Sequence, residues 1–324
     1  MKAVILGLAA GLALAGPASL SAQDFPSKPI SMVMPYAAGG PGDTLTRILA
    51  QSMSGHLKQQ VIVENLAGAG GTIGSARVSS APPDGHTLLL IHVSQATNPF
   101  LYPNLKYDVM KDFEPVGLVA DLPSVFVARK DLAPKSFAEL IAYVKQNAEK
   151  ATYAHAGVGS ASHLCGLLFA EAAAVKLTQV AYRGSGPAMN DLIGGQVDFI
   201  CDQIVNVVPN VEGGTIKAYA VTSKEPAKAL PNLPTADKAG LPGFDLTIWY
   251  GLFAPKGTPK PVVDKLVAAL DVALKDRAVR DNFAKLGAEA VSAERATPEA
   301  LRKHLQAELD KWGPVIKKAG VTGQ

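Results

Sequence analysis

The sequence predicts an α/β protein of two lobes, each a mainly parallel sheet flanked by helices, with a ligand cleft between the lobes. Strand and helix patterns alternate nearly throughout, which favours parallel sheets covered on both faces. The alternation falls into two series joined by extended segments near residues 116–128 and 216–250, so the chain leaves one lobe, builds the other and returns. At 324 residues, 48% of them hydrophobic, there is enough chain for two domains. The predicted division is residues 24–120 with 246–324 for the first lobe, and 121–245, hinge crossings included, for the second.

In the first series, "ISMVMPY" (30–36) is a short strand. The helix after it sets Leu45, Ile48, Leu49 and Met53 on one face, with Leu57 further along. "QQVIVENL" (59–66) is a strand. Residues 68–85 give a glycine-rich turn, a helix and a Pro-Pro-Asp-Gly stop. "HTLLLIHVS" (86–94) is a buried strand, followed by a loop, "QATNPFLYPNL". Residues 113–130 read as two extended segments broken at Asp121–Pro123. The second series has helices at 136–147, 160–175 and 187–195, with strands at 151–157, 177–182, 197–203 and 215–223. A proline-rich connection (224–244) leads to a strand at 246–255, and helices at 260–276 and 298–319 finish the chain.

The N-terminus reads as a cleavable export signal over residues 1–22. Lys2 supplies the positive start, "AVILGLAAGLALAG" (3–16) the apolar stretch and "PASLSAQ" (17–23) the small residues for cleavage. The apolar run is shorter than the ~20 residues of a comfortable membrane span. The expected location is the periplasm. Export permits a disulfide between Cys165 and Cys201, although two buried free cysteines fit their apolar surroundings too. The formal net charge of +3 gives no support to nucleic-acid binding.

Four loops lie at the carboxyl ends of strands, where open α/β sheets bind ligands. "PYAAGGPGD" (35–43) lacks the lysine and hydroxyl of a nucleotide P-loop and fails G-x-G-x-x-G. Asp43 stands at the expected helix N-cap, as a cap alone or also as a ligand contact, and Arg47 is placed to pair with it. "IHVSQATNP" (91–99) offers the neutral hydrogen-bonding groups of Ser94, Gln95, Thr97 and Asn98. "HAGVGSASH" (155–163) brings Ser160, Ser162 and His163 to a helix start, whose free N–H groups attract anions. "YRGSGPAMNDL" (182–192) has Gly184 and Gly186 for close backbone approach, the Ser185 hydroxyl, Arg183, and Pro187 at a first helical position. Together these point to small-anion recognition at two helix starts, one per lobe. No H-E-x-x-H occurs and the histidines are scattered, so no metal or cofactor is expected.

The stretches "FPSKPISMVMPYAAGGPGDTLTRILA", "VIVENLAGAGGTIGSARVSSAPPDGHTLL", "NPFLYPNLKYDVMKDFEPVGLVA", "GVGSASHL", "VAYRGSGPAMNDLIGGQVDFICD" and "WYGLFAPKGTPKPVVDKL" resemble, in order and over almost all of the mature chain, the solute receptors of tripartite tricarboxylate transporters, the Bug receptors. The resemblance implies a type II-like periplasmic binding protein that closes on a small organic carboxylate (a di- or tricarboxylate or an aromatic carboxylate). It implies delivery to the small and large membrane subunits of a transporter, by a monomer that is not an enzyme. Carried over residue by residue, it places Tyr36, Ala37, Ala38, Gly39 and Asp43 at the ligand from the first lobe. From the second it places Gly159, Ser160, His163, Tyr182, Arg183, Gly184 and Ser185. Asp202 also matches, as a ligand contact or as a structural cap. His92 and Cys201 depart from the expected pattern. Trp249 and Tyr250 either line the pocket or pack between the lobes. A periplasmic sensor would use the same pocket. A serine hydrolase is the weaker alternative, because "GVGSASH" is not G-x-S-x-G.

Overall fold

The computed structural model describes residues 25–323; the expected export signal lies outside the described residues. The first series comprises β1 (Ile30–Met34), α1 (Pro41–Leu57), β2 (Val61–Asn65), α2 (Thr72–Ser79), β3 (Thr87–His92) and α3 (Ser94–Leu101). β4 (Phe113–Arg129) crosses to the second series. That series holds α4 (Phe137–Gln146), β5 (Thr152–His155), α5 (Ala161–Ala173), β6 (Thr178–Ala181), α6 (Ser185–Ile193), β7 (Phe199–Gln203), α7 (Ile204–Glu212) and β8 (Ile216–Val221). The chain returns through β9 (Thr247–Pro255), then α8 (Lys260–Lys275), α9 (Arg277–Lys285), β10 (Glu289–Ala290) and α10 (Pro298–Ala319).

The strand order is β2-β1-β3-β9-β4-β7-β5-β6, with β8 and β10 also pairing β4. β1 is parallel to β2 and β3, and β5 to β6 and β7; β9 and β4 are antiparallel to their neighbours. Residues Phe113–Pro123 pair with β9 in the first sheet, and Ser124–Ala128 pair with β7 in the second. β4 is therefore the strand both lobes share. Its two halves were expected to be separate segments. They are one strand, because Pro123 falls at the last pairing with β9 and its missing N–H breaks nothing inside the ladder.

The expected loop after β3 is instead α3. Its Ser94, Gln95, Ala96, Thr97, Asn98 and Leu101 are buried, α10 packs against it, and the helix forms despite Pro99 inside it. α7 and α9 are two further helices that the sequence pattern did not single out.

The buried side chains form one continuous core that runs through both sheets. α1, α8 and α10 cover the first sheet around Met32, Leu89, Leu252 and Leu270, all buried. In the second, Phe126 meets Phe137 at 4.7 Å and Phe169 at 5.2 Å between ring centroids. Cys165 on α5 and Cys201 on β7 form a disulfide with a Cα–Cα distance of 6.1 Å. The two crossings are joined at Thr222. Its hydroxyl accepts from Ser124 N at 2.8 Å and donates to Leu246 O at 2.6 Å.

Candidate functional site

A cavity lies between the lobes, where β1, β3, β5 and β7 end. From the first lobe it is lined by Tyr36, Ala37, Gly40, Gly42, Asp43, His92 and Tyr250. The second lobe supplies Ala156, Ser160, Ser162, Ser185 and Gln203. None of the described residues lining it is lysine or arginine. The enclosed space admits little more than a water molecule, so an organic ligand needs the lobes to part before it can enter.

The first lobe's wall follows from the end of β1. Pro35 cannot extend the ladder, and Pro41 opens α1 at a position that needs no N–H donor. The N-cap is Gly40 rather than the expected Asp43, and no side chain caps it. Asp43 sits one turn inside and reaches back, accepting from Gly39 N at 3.0 Å. Arg47 approaches it with Nε at 3.1 Å and Nη2 at 2.9 Å, as the spacing predicts. Burial acts to raise the Asp43 carboxyl, but the bonds from Arg47, Gly39 and Asn65 outweigh it and hold it below its ordinary value. The charge is thus paired.

Tyr36 donates to Gly70 O at 2.8 Å and stacks on His92 at 4.8 Å; Tyr250 meets the same imidazole edge-on at 5.5 Å. Burial lowers His92 to about 3, so the ring is neutral. Tyr250 lines the cavity and donates across it to Gln203 Oε1 at 2.8 Å, while Trp249 points away and donates to Glu308. Gly42 lets α1 pass close to these groups: a Cβ there would lie 2.8 Å from Met34 Sδ and 3.1 Å from the Tyr250 hydroxyl.

The second lobe's wall is the start of α5. Ser160 caps the helix, its Oγ accepting from His163 N at 3.2 Å; Ser162 Oγ accepts from Ala156 N at 2.9 Å. Behind them the His155 and His163 rings meet at a tilt of 51°, 4.9 Å between centroids. Each accepts a backbone N–H at Nδ1, from Gly157 and Gly159 respectively, both at 3.2 Å. Burial lowers them to about 4 and about 3. Next to α5, α6 begins at Ser185, so Pro187 is its third residue and not its first. Ser185 donates to Asp202 Oδ1 at 2.7 Å, and Asp202 also accepts from Gln203 N at 2.9 Å and Asn206 Nδ2 at 2.6 Å. Burial pushes the Asp202 carboxyl up, and these bonds pull against it.

Of the residues singled out from sequence, Tyr36, Ala37, Asp43, Ser160 and Ser185 line the cavity together. Ala38 and Gly39 lie on its exposed rim. Ser94 and Gln95 are fully buried at the start of α3, and Ser94 N donates to His92 Nδ1 at 3.2 Å. Gly159 and His163 stand behind the α5 wall. Tyr182 and Arg183 line a neighbouring groove with Gly70 and Tyr102. Gly184 packs on the first lobe, where a Cβ would lie 2.9 Å from Ala37 N. Asp202 touches Ser185 from behind. Gln203 was missed, although its place at the end of β7 marks it. Of the two roles open to Tyr250, it takes the one that lines the cavity, and His92, noted only as a departure from the family pattern, lines it too.

Two α/β sheets sharing a long strand, with helix starts from each facing one cavity, define a two-lobed periplasmic binding protein. A family model described as "Tripartite tricarboxylate transporter family receptor" matches residues 45–321, and the chain belongs to that family. A relative from Agrobacterium vitis, the UPF0065 protein in the TAR-I ttuE-ttuC' intergenic region, is 49% identical over 300 residues, covering 92% of this chain and 87% of its own. The structure of the periplasmic binding protein BugD is 48% identical with a TM-score of 0.90, over 93% of this chain and 100% of that one. MatC (Rpa3494) from Rhodopseudomonas palustris, solved with bound malate, is 42% identical with a TM-score of 0.87, over 90% of this chain and 100% of that one. No helix among the described residues is long and apolar enough to cross a membrane.

Proposed function

We propose that this chain is an exported, periplasmic, monomeric receptor that captures a small organic carboxylate between its lobes and delivers it, unaltered, to the small and large membrane subunits of a tripartite tricarboxylate transporter. The observation that carries the reading is the pair of helix starts, α1 and α5, that reach one cavity from different sheets, with Ser160, Ser162, His92 and Gln203 as neutral polar groups and Asp43 already paired with Arg47. Helix N-termini and hydroxyls hold anions without a cation. The malate bound to MatC supports the carboxylate class.

Residues 24–120 with 246–324 act as one body and 121–245 as the other, hinged where Thr222 joins Ser124 to Leu246. Ligand meets one wall first, and the second wall is reached only on closure, so binding shifts the population of the closed form. Ser160 Oγ bonds the His163 backbone and the Ser162 hydroxyl rather than an imidazole nitrogen, which supports binding over hydrolysis.

A thermal-shift screen of organic acids tests this. A ligand at a hundred times its Kd adds ~2.7 kcal/mol of stability. Carboxylates are expected to raise Tm; neutral sugars raising it while acids do not overturns the reading.

A further inference from the structure

The polar atoms of the cavity sort into donors and acceptors. His92 Nδ1 accepts from Ser94 N at 3.2 Å, so its neutral ring carries the proton on Nε2. Tyr250 donates to Gln203 Oε1 at 2.8 Å, which leaves the Gln203 amide NH2 as a donor. Ser160 Oγ and Ser162 Oγ each accept a backbone N–H and lie 3.2 Å apart. One hydroxyl donates to the other, and one proton remains for a ligand. The free protons of His92 Nε2, the Gln203 amide and one of the two serines suit a carboxylate.

Ser185 has the opposite sign. Its Oγ lies 2.7 Å from Asp202 Oδ1, and both oxygens of that buried carboxylate are surrounded by donors from Ser185, Gln203 and Asn206. Gln203 N and Asn206 Nδ2 already donate to the two Asp202 oxygens, so the carboxyl serves as an acceptor and the single Ser185 proton points at it. Ser185 therefore offers the cavity lone pairs. The starts of α1 and α6 meet here, since a Cβ on Gly40 would lie 3.6 Å from Gly186 N. On α1, Asp43 Oδ1 is buried and lies 2.9 Å from Arg47 Nη2 without an aligned N–H, a second acceptor in the lining. A ligand hydroxyl that donates is matched between these two acceptors.

We propose that the site selects acids bearing a hydroxyl beside the bound carboxylate, with that hydroxyl donating to Ser185 Oγ while Asp202 holds the Ser185 proton away from the ligand. This rests on the carboxylate-receptor reading and narrows it. Asp202 is a positioning residue that acts through Ser185.

Calorimetric titration of the mature chain with acids paired by one hydroxyl tests it: succinate with malate, glutarate with 2-hydroxyglutarate, propionate with lactate. In at least one pair the hydroxylated member is expected to bind at least tenfold more tightly. Ser185→Ala brings that ratio to about one, and Ser185→Thr, which keeps the hydroxyl, retains the preference. Asp202→Ala frees the Ser185 proton and shifts the ratio toward the acid without the hydroxyl, a change that loss of packing alone does not make. Equal affinities throughout, or a ratio untouched by Ser185→Ala, overturn the hydroxyl inference and leave the carboxylate receptor standing. Failure of every acid to bind overturns both.

Discussion

The two walls of the cavity begin alike and are built differently. Each is a glycine-containing loop running from a parallel strand into a helix. The α1 wall has a bare glycine cap, a proline at its first position and a paired aspartate behind it. The α5 wall is capped by serine, backed by neutral imidazoles and anchored by the Cys165–Cys201 bridge. The α1 wall thus carries charge held in check, and the α5 wall carries polarity without charge. A receptor assembled this way can draw an anion to one lobe without binding it irreversibly to the other.

The largest expected effect breaks the anchor. The bridge closes a loop across a sequence separation of 36, and removing such a constraint costs about 4 kcal/mol by loop entropy. Cys165→Ala with Cys201→Ala is therefore expected to lower denaturant stability by that amount, with the loss centred on the second lobe in hydrogen exchange. Uniform loss over both lobes contradicts a lobe-specific anchor.

A smaller effect comes from the imidazoles. His155 and His163 stay neutral in the folded chain down to about 4 and about 3, while unfolded histidine takes a proton near 6.5. Their contribution is complete above about 6.5 and is lost as pH falls toward the folded values, because only the unfolded chain binds protons in that window. Each histidine adds a slope of about 1.4 kcal/mol per pH unit. His155→Gln is expected to flatten the fall in stability between pH 6.5 and 5 by about 2 kcal/mol. An unchanged slope removes the buried neutral pair from the account. His92, on the other wall, adds a similar slope from a single ring.

Much of this was legible in the sequence, and what escaped shares a cause. The period of Leu45, Leu49 and Met53 places α1, and alternating strand and helix places both sheets, because those signals are local. "QATNPFLYPNL" reads as a loop until α10 is laid over α3. Pro123 reads as a break until its partner on β9 is known. Ser185 reads as a donor until Asp202, 17 residues on, takes its proton. The Tyr250–Gln203 bond joins residues 47 apart across the cleft and leaves no trace in either neighbourhood. In each case a long-range contact decides between local options that the sequence allows equally.

The smallest effect isolates the caps. Ser160 Oγ takes the His163 N–H at 3.2 Å, whereas α1 has Gly40 and no side-chain acceptor. Replacing a serine cap by alanine costs about 1 kcal/mol, while exchanging glycine and serine at a cap changes only a few tenths. Ser160→Ala is then expected to lower Tm by about 2 °C for a chain of this size, and Gly40→Ser to raise it by a fraction of that. Gly40 can take the side chain, since a Cβ there makes only ordinary contacts, the nearest at 3.6 Å. The two variants separate in binding more than in stability. Ser160→Ala removes a hydroxyl from the donor side of the cavity and weakens carboxylate affinity as well. Gly40→Ser stands on the acceptor side, beside Ser185, and adds a proton where lone pairs now face the ligand. If both variants changed affinity in step with Tm, the walls would be interchangeable, and the division of labour between them would be wrong.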